Sequence, residues 1–168
     1  TPPLFSTLPL NPATLANLAQ LGYSAMTPIQ AASLPVALQG RDLIAQAATG
    51  SGKTAAFALA LLNRLDPAPA RVLQVQALVL CPTRELADQV TVEIRRLARA
   101  ADNIKVVTLC GGVALRGQRA SLEHGAHIVV GTPGRIMDHL ARGYLNLDTL
   151  NTLVLDEADR MLDMGFFE

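Results

Sequence analysis

Five short, mostly apolar runs recur after Gly40, and they constrain the fold more than any other feature of the chain. The runs are Asp42–Ala45, Ala77–Cys81, Lys105–Leu109, His127–Val130 and Thr152–Leu155. Continuous apolar runs of this length are typical of parallel strands that are buried on both faces. Helical stretches separate them, the clearest being Lys53–Leu65, Arg84–Ala100 and Gly134–Arg142. Strand alternating with helix predicts an α/β fold, with a mostly parallel sheet and helices on both faces.

Two helices are predicted before the first strand. Asn11 followed by Pro12 has the pattern of an N-cap with a first-turn proline. Thr27 with Gln30 three residues later has the spacing of a capping box, so a second helix should begin there. Pro35 should interrupt this second helix, because proline removes a backbone donor and clashes with the preceding turn.

Composition narrows the class of protein. The chain has 168 residues, 50% hydrophobic and 17% charged, which suits one well-buried globular domain. Its formal net charge is zero, so any nucleic-acid partner must be met by local groups rather than by a basic surface. Cys81 and Cys110 are expected to be small buried residues in a reducing cytosol. We expect no membrane span and no signal peptide.

A phosphate-binding loop is predicted between the first strand and the first long helix. It consists of Ala47, Ala48, Thr49, Gly50, Ser51, Gly52, Lys53 and Thr54. The glycines allow backbone N–H groups to face a phosphate chain, and Lys53 can reach the β- and γ-phosphates. The Thr54 hydroxyl can coordinate Mg²⁺. A glycine-rich strand-to-helix turn is the alternative, and Ala47 stands where the first glycine is usual, but Gly-Lys-Thr in this context favours phosphate binding.

An acidic pair follows the last apolar run. Asp156 should stand at the carboxyl end of a buried strand, which is the edge where open α/β sheets bind ligands. Its carboxylate can hold Mg²⁺ through water, and Glu157 can orient or deprotonate the attacking water. Acidic residues at this place can also serve only as helix N-terminal charges. The phosphate loop upstream favours the catalytic interpretation.

These motifs resemble those of DEAD-box RNA helicases. Asp156-Glu157-Ala158-Asp159 matches the motif that gives the family its name, and the segment from Gly22 to Gln30 resembles the family's Q motif. The resemblance covers essentially the entire chain, with six motifs in the expected order. It implies a RecA-like P-loop NTPase lobe that is truncated after the acidic motif.

The resemblance assigns adenine recognition to the Q motif. It implies that Gln30 hydrogen-bonds the adenine, although Thr27 and Gln30 would form a capping box without any ligand. It also implies that Tyr23 stacks on the adenine ring, with the covering of a helix end as the alternative. Phe5 is expected to be a packing residue.

The same resemblance assigns RNA contacts to three further motifs. They comprise Pro82, Thr83, Arg84, Gly111, Gly112, Thr132, Pro133, Gly134 and Arg135. Two of these motifs lie at helix N-termini, which bind phosphate without regard to sequence. The alternatives are a salt bridge between Arg84 and Asp88, and a plain turn at Gly111–Gly112.

The implied function is ATP-dependent unwinding of short RNA duplexes or remodelling of RNA–protein complexes. The implied catalytic residues are Lys53, Asp156 and Glu157, the cofactors are ATP and Mg²⁺, and the protein is expected to be cytoplasmic. The partners are RNA and a second RecA-like lobe that supplies arginines, with no membrane partner. Several segments resemble the bacterial subgroup that acts on large-subunit ribosomal RNA. The alternatives are an ATP-gated RNA clamp and a DNA translocase of the same superfamily.

The sequence also makes predictions about domain organisation. We expect one structural domain, with a Q-motif region (1–40) packed on a partial RecA-like lobe (41–168). On its own, the chain should bind nucleotide, hydrolyse it poorly and not unwind RNA. In the family architecture a later strand lies between the strand before the phosphate loop and the strand before Asp156. The resemblance therefore predicts a slot between Leu43–Ala45 and Leu153–Leu155, filled by another segment.

Overall fold

The computed structural model describes residues 2–41, 52–65, 74–101 and 103–163. These residues fall into two compact units. The first, here the N-terminal unit, comprises Thr1–Arg64 and Glu93–Asp102, and the second, the sheet unit, comprises Leu65–Val92 and Asn103–Glu168. Across the described residues, no helix combines the length and the apolar character needed to cross a membrane.

The N-terminal unit is helical. It contains a 3-10 turn (Phe5–Thr7) and the helices α1 (Pro12–Gln20), α2 (Pro28–Ala37) and α3 (Lys53–Asn63). The Asn11 side chain accepts a hydrogen bond from the Thr14 backbone N–H, and Thr27 and Gln30 form a complete capping box. Both predicted helix starts are therefore confirmed.

The predicted interruption at Pro35 is wrong, because α2 continues through Pro35 to Ala37. Pro35 is exposed and stands two residues before the end of the helix, so the ring disturbs little of the hydrogen-bond ladder. Leu34 beside it is fully buried. Burial of Leu34 and the capping box at Thr27 together outweigh the lost backbone donor.

The core of the N-terminal unit forms around Phe5, Leu18 and Leu34, which are at most 2% exposed. Phe5 packs edge-on against Tyr23, with ring centroids 5.7 Å apart. The expectation that Phe5 is a packing residue is confirmed.

The sheet unit contains four parallel strands in the order β2-β3-β1-β4. The strands are β1 (Ala77–Leu80), β2 (Val106–Leu109), β3 (Ile128–Gly131) and β4 (Thr152–Leu155). The helices are α4 (Arg84–Leu97, its last residues counted in the N-terminal unit), α5 (Leu115–His124), α6 (Pro133–Ala141) and α7 (Ala158–Asp163). The predicted parallel α/β fold is confirmed. The remaining predicted strand, Asp42–Ala45, lies outside the described residues.

The register of the sheet aligns the carboxyl ends of its strands. Leu80 of β1 lies opposite Gly131 of β3 and Leu155 of β4, and Gly131 lies opposite Leu109 of β2. The four following loops therefore leave the sheet at one edge. The core of the sheet unit comprises Val75, Leu78, Leu109, Ala126, Val129, Ile136 and Leu145. Cys81 and Cys110 are buried, as predicted.

Candidate functional site

The described part of the phosphate loop is its end, where α3 begins. Gly52 is the N-cap of α3 and has a left-handed backbone (φ 91°), which favours glycine. A Cβ atom at Gly52 would also clash with Gln30 Nε2 and approach Thr27 Oγ1 to 2.9 Å. Lys53 and Thr54 form the first turn of α3. The other predicted members, Ala47, Ala48, Thr49, Gly50 and Ser51, lie outside the described residues.

The Gln30 carboxamide links the Q motif to the end of the phosphate loop. Its Oε1 accepts from the Thr27 backbone N–H at 2.9 Å, and its Nε2 donates to the Gly52 carbonyl at 3.1 Å. Gln30 is only 2% exposed. An amide carries two donor hydrogens and two acceptor lone pairs, so each end retains the capacity for one more bond. The capping box is thus present and remains compatible with adenine recognition, which stays a prediction.

Tyr23 is fixed by its hydroxyl group. The hydroxyl donates to Glu93 Oε1, and the other carboxylate oxygen of Glu93 accepts from Arg96 at 3.0 Å. Burial, followed by the hydrogen bond to Glu93, raises the pKa of Tyr23 to about 12. This anchoring and the edge-on contact with Phe5 hold the ring in place. Adenine stacking by Tyr23 stays a prediction.

The acidic pair stands at the carboxyl end of β4. The Asp156 N–H donates to the Leu80 carbonyl at 2.9 Å, and Asp156 is 4% exposed. Glu157 has a positive φ of 54°, which is uncommon for a residue with a side chain. Strained backbone of this kind is often found at functional sites. The buried Asp156 carboxylate is an oxygen ligand of the kind that Mg²⁺ prefers, and its role in holding Mg²⁺ stays a prediction.

Arg84 begins α4 just after β1 and lies beside the glycine turn. Its Nε is 3.9 Å from Asp88 Oδ2, and both side chains are more than half exposed. A pair this long and exposed contributes little. A Cβ atom at Gly112 would lie 3.2 Å from Arg84 Nη1, so the guanidinium lies against this turn. Gly112 has a φ of 82°.

Arg135 joins the third RNA motif to the same turn. Pro133 is the first residue of α6, and Gly134 is exposed. Arg135 Nη1 donates to the Val113 carbonyl at 2.9 Å and to Gln118 Oε1 at 3.1 Å. The structure therefore brings together all three predicted RNA motifs of the sheet unit. The Nη1 atom of Arg135 is therefore already hydrogen-bonded within the protein.

Two residues of this region were not predicted. Gln118 is 5% exposed and His139 is fully buried. Gln118 Nε2 donates to the Cys110 carbonyl at 2.8 Å, while His139 Nε2 lies 2.8 Å from Gln118 Oε1. Burial, and then the positive charge of Arg135, lower the pKa of His139. The available sequence signal was the spacing of His139 from Arg135, since residues four apart share a helix face.

A sheet of four parallel strands with an acidic motif at its carboxyl edge is typical of a RecA-like lobe, and the fold matches one. The crystal structure of a DEAD box protein from the hyperthermophile Methanococcus jannaschii superposes with a TM-score of 0.89 at 42% identity, covering 98% of this chain and 44% of that one. The family model described as DEAD/DEAH box helicase matches residues 27–168. The chain belongs to the DEAD/DEAH box helicase family.

Curated relatives agree with this assignment. The chain is 63% identical over 163 residues to the ATP-dependent RNA helicase DbpA of Escherichia coli (strain K12), covering 96% of this chain and 35% of that protein. It is 50% identical over 164 residues to the ATP-dependent RNA helicase DeaD of the same strain, covering 98% of this chain and 26% of that protein. The chain thus spans about a third or less of these relatives.

Proposed function

We propose that this chain is the ATP-binding lobe of an ATP-dependent RNA helicase that unwinds short RNA duplexes or remodels RNA–protein complexes. One observation carries the proposal. The four parallel strands end at one edge of the sheet, and each is followed there by a predicted functional motif. Three of these motifs are assigned to RNA, and the fourth is the acidic pair. The printed names of the relatives, ATP-dependent RNA helicases, support the same function.

The nucleotide is assigned to the Q motif, the start of α3 and the acidic pair. Gln30 would bind the adenine, while the Lys53 ammonium would contact the β- and γ-phosphates. Thr54 and, through water, Asp156 would hold Mg²⁺, which when bound neutralises charge on the transferred phosphoryl group. Glu157 would accept a proton from the attacking water.

RNA would be held by donors rather than by a basic surface. The chain has no net charge, so its overall charge does not attract RNA and local donors must hold it. Arg84 supplies one exposed charge, and the first turns of α4 and α6 supply backbone N–H groups. Such contacts bind the RNA backbone and do not contact the bases, so this lobe would bind RNA largely without sequence preference.

Hydrolysis and unwinding would need a second RecA-like lobe that closes on the nucleotide and supplies arginines. The 168-residue chain alone should therefore bind ADP and hydrolyse ATP very poorly. The particular RNA target and the cytoplasmic location stay predictions.

The test uses the full-length protein with matched RNA and DNA oligonucleotides of the same sequence. We expect ATP hydrolysis to be stimulated by RNA and hardly by DNA, and a short RNA duplex to be separated in the presence of ATP. Equal stimulation by DNA would instead support the DNA translocase. RNA held in the presence of ATP without duplex separation would support the ATP-gated clamp.

A further inference from the structure

A buried glutamine connects two of the three predicted RNA motifs at the sheet edge. Gln118 lies in α5 and is 5% exposed, so its carboxamide is shielded from water. Its Nε2 donates to the Cys110 carbonyl, directly before the Gly111–Gly112 turn, at 2.8 Å. Its Oε1 lies 3.1 Å from Arg135 Nη1 and 2.8 Å from His139 Nε2, both on α6.

The partners of Gln118 fix the orientation of its amide group. Arginine can only donate, so the oxygen of Gln118 must face Arg135. A backbone carbonyl can only accept, so the nitrogen must face Cys110. It follows that His139 donates from Nε2. Gln118 satisfies all three partners because one planar group carries both a donor and an acceptor, whereas an ionised glutamate has no donor for the Cys110 carbonyl and methionine has no donor at all.

The turn that Gln118 supports is exposed, but it is anchored at both ends. Residues 111–114 are exposed between β2 and α5. The Cys110 carbonyl at one end binds Gln118, and the Val113 carbonyl at the other binds Arg135 Nη1 at 2.9 Å. Because Arg135 also binds Gln118, a single network holds both ends from the protein side. The outward side of the turn faces solvent.

We propose that Gln118 is a positioning residue that fixes the Gly111–Gly112 turn for the RNA backbone and couples this turn to α6. The inference deepens the proposed function and rests on the RNA role assigned there to the turn. Gln118 is buried and acts through the turn, not by touching RNA. Its contribution is preorganisation: a turn held in its binding conformation loses less conformational freedom when RNA binds.

The test compares two substitutions in the full-length protein. Gln118→Met removes all three bonds that Gln118 makes, whereas Gln118→Glu, as the ionised carboxylate, keeps an acceptor for Arg135 and loses the donor to the Cys110 carbonyl. The readout is RNA-stimulated ATP hydrolysis, measured against RNA and against ATP. We expect the KM for RNA to rise about tenfold in both variants, as is reasonable for a misplaced binding element. The KM for ATP and the rate at saturating RNA should stay within about twofold, because only RNA binding is affected.

Thr91→Val is the matched control for lost stability. Thr91 is 2% exposed and its hydroxyl lies 2.8 Å from the Thr108 hydroxyl, so this change also deletes a partly buried polar contact in the sheet unit. It does not touch the network of Gln118. Its thermal stability should fall with the KM for RNA unchanged.

A double-mutant cycle with Gly112→Ala decides whether Gln118 acts through the turn. Two changes to one element are non-additive, so Gln118→Met should raise the KM for RNA much less when Gly112→Ala is already present. Additive effects, or a KM for RNA no higher in the Gln118 variants than in Thr91→Val, would overturn the proposal. If RNA fails to stimulate the unmutated protein, the proposed function fails as well, so the two failures are distinguishable.

Discussion

At the scale of single residues, Gln30 serves the fold and is proposed to serve the ligand. Its carboxamide completes the capping box of α2 and binds the Gly52 carbonyl. Replacing it with alanine would remove both contacts together with any adenine contact. Nucleotide selectivity, rather than stability alone, is therefore the quantity that separates its two roles.

We predict that the chain binds ADP more tightly than GDP and that Gln30→Ala narrows this difference. A hydrogen-bond pair whose loss leaves buried groups unsatisfied contributes about 1–3 kcal/mol of discrimination. Calorimetric titration with both nucleotides measures it. Asn11→Ala, which removes the N-cap of α1 instead, should lower stability and leave the selectivity intact. Equal affinity of the unmutated chain for ADP and GDP would show that Gln30 does not recognise adenine.

Glu157 combines a proposed catalytic role with an uncommon backbone conformation. In the full-length protein, Glu157→Gln should lower ATP turnover by roughly 10²-fold, as expected for loss of a general base. ATP binding should hardly change, whereas Lys53→Ala should weaken it. Single-turnover hydrolysis and nucleotide titration separate the two effects. Normal turnover in Glu157→Gln would contradict the assigned role.

At the scale of single residues, contacts between neighbours in sequence could be predicted, whereas contacts between distant residues could not. Capping at Asn11 and Thr27 was predictable because it depends on neighbours three positions away. The contact of Gln118 with His139 joins positions 21 apart and depends on how α5 and α6 pack. No local pattern encodes this contact, and the four-residue spacing of Arg135 and His139 indicates only a shared helix face, so Gln118 and His139 were missed.

At the scale of elements, Gly131 shows how closely β2 and β3 approach α6. A Cβ atom there would clash with the Leu109 carbonyl and come within 2.7 Å of Ile136 Cδ1. Neither the Leu109 backbone nor the buried Ile136 side chain can move aside without a cost in stability. Gly131 therefore permits the close packing on which the position of the Thr132–Arg135 motif depends.

We predict that Gly131→Ala lowers the free energy of unfolding by about 1–3 kcal/mol, through overpacking. Gly134→Ala is the matched control, since a Cβ atom there meets nothing within 4 Å and α6 should gain helix propensity. Denaturant unfolding of the chain measures both variants. A Gly131→Ala variant as stable as Gly134→Ala would contradict the packing argument.

His139 should make stability depend on pH. Burial and the charge of Arg135 lower its pKa, an effect that Asp138 partly opposes and Arg142 reinforces. Below its ordinary value of about 6.5, the unfolded chain binds a proton that the folded chain resists. Stability therefore falls as the pH drops through this value, until the folded state is protonated too.

We predict that His139→Gln loses less stability between pH 7.5 and pH 5.5 than the unmutated chain does. Glutamine removes the titrating group and retains an N–H donor for Gln118 Oε1. Melting temperatures across this range provide the measurement. His124→Gln, which removes an exposed histidine, should follow the unmutated chain. Parallel pH profiles for His139→Gln and the unmutated chain would show that His139 does not carry the effect.

At the scale of the whole molecule, the sequence predicted the fold class well, but the predicted helical stretches did not include α5 or α7. Four apolar runs became the parallel strands, because runs such as His127–Val130 have few polar residues and can be buried on both faces. Helix α5 was not predicted. It contains Gly117, has no side-chain N-cap at Ala114 and carries a largely polar sequence, so its local helix signals are weak.

The edge of the sheet at β4 bears on the predicted slot. Within the described residues, β4 pairs with β1 and is the last strand of the sheet. Leu153 is 55% exposed and Leu155 is 42% exposed, and the two share one face of the strand. Because Asp42–Ala45 lies outside the described residues, the slot itself stays a prediction. The exposed leucines nonetheless give a way to test for a covering segment in the full-length protein.

We predict that Leu153→Thr destabilises the full-length protein but hardly changes the stability of the 168-residue chain. In the 168-residue chain, the change should leave stability within about 0.5 kcal/mol and improve solubility, since the side chain is largely in water. In the full-length protein a segment covering β4 would bury Leu153, so the same change should cost about 1–2 kcal/mol. Val79→Thr, at a fully buried position of β1, should destabilise both forms. Equal effects of Leu153→Thr on unfolding of both forms would show that nothing covers this face of β4.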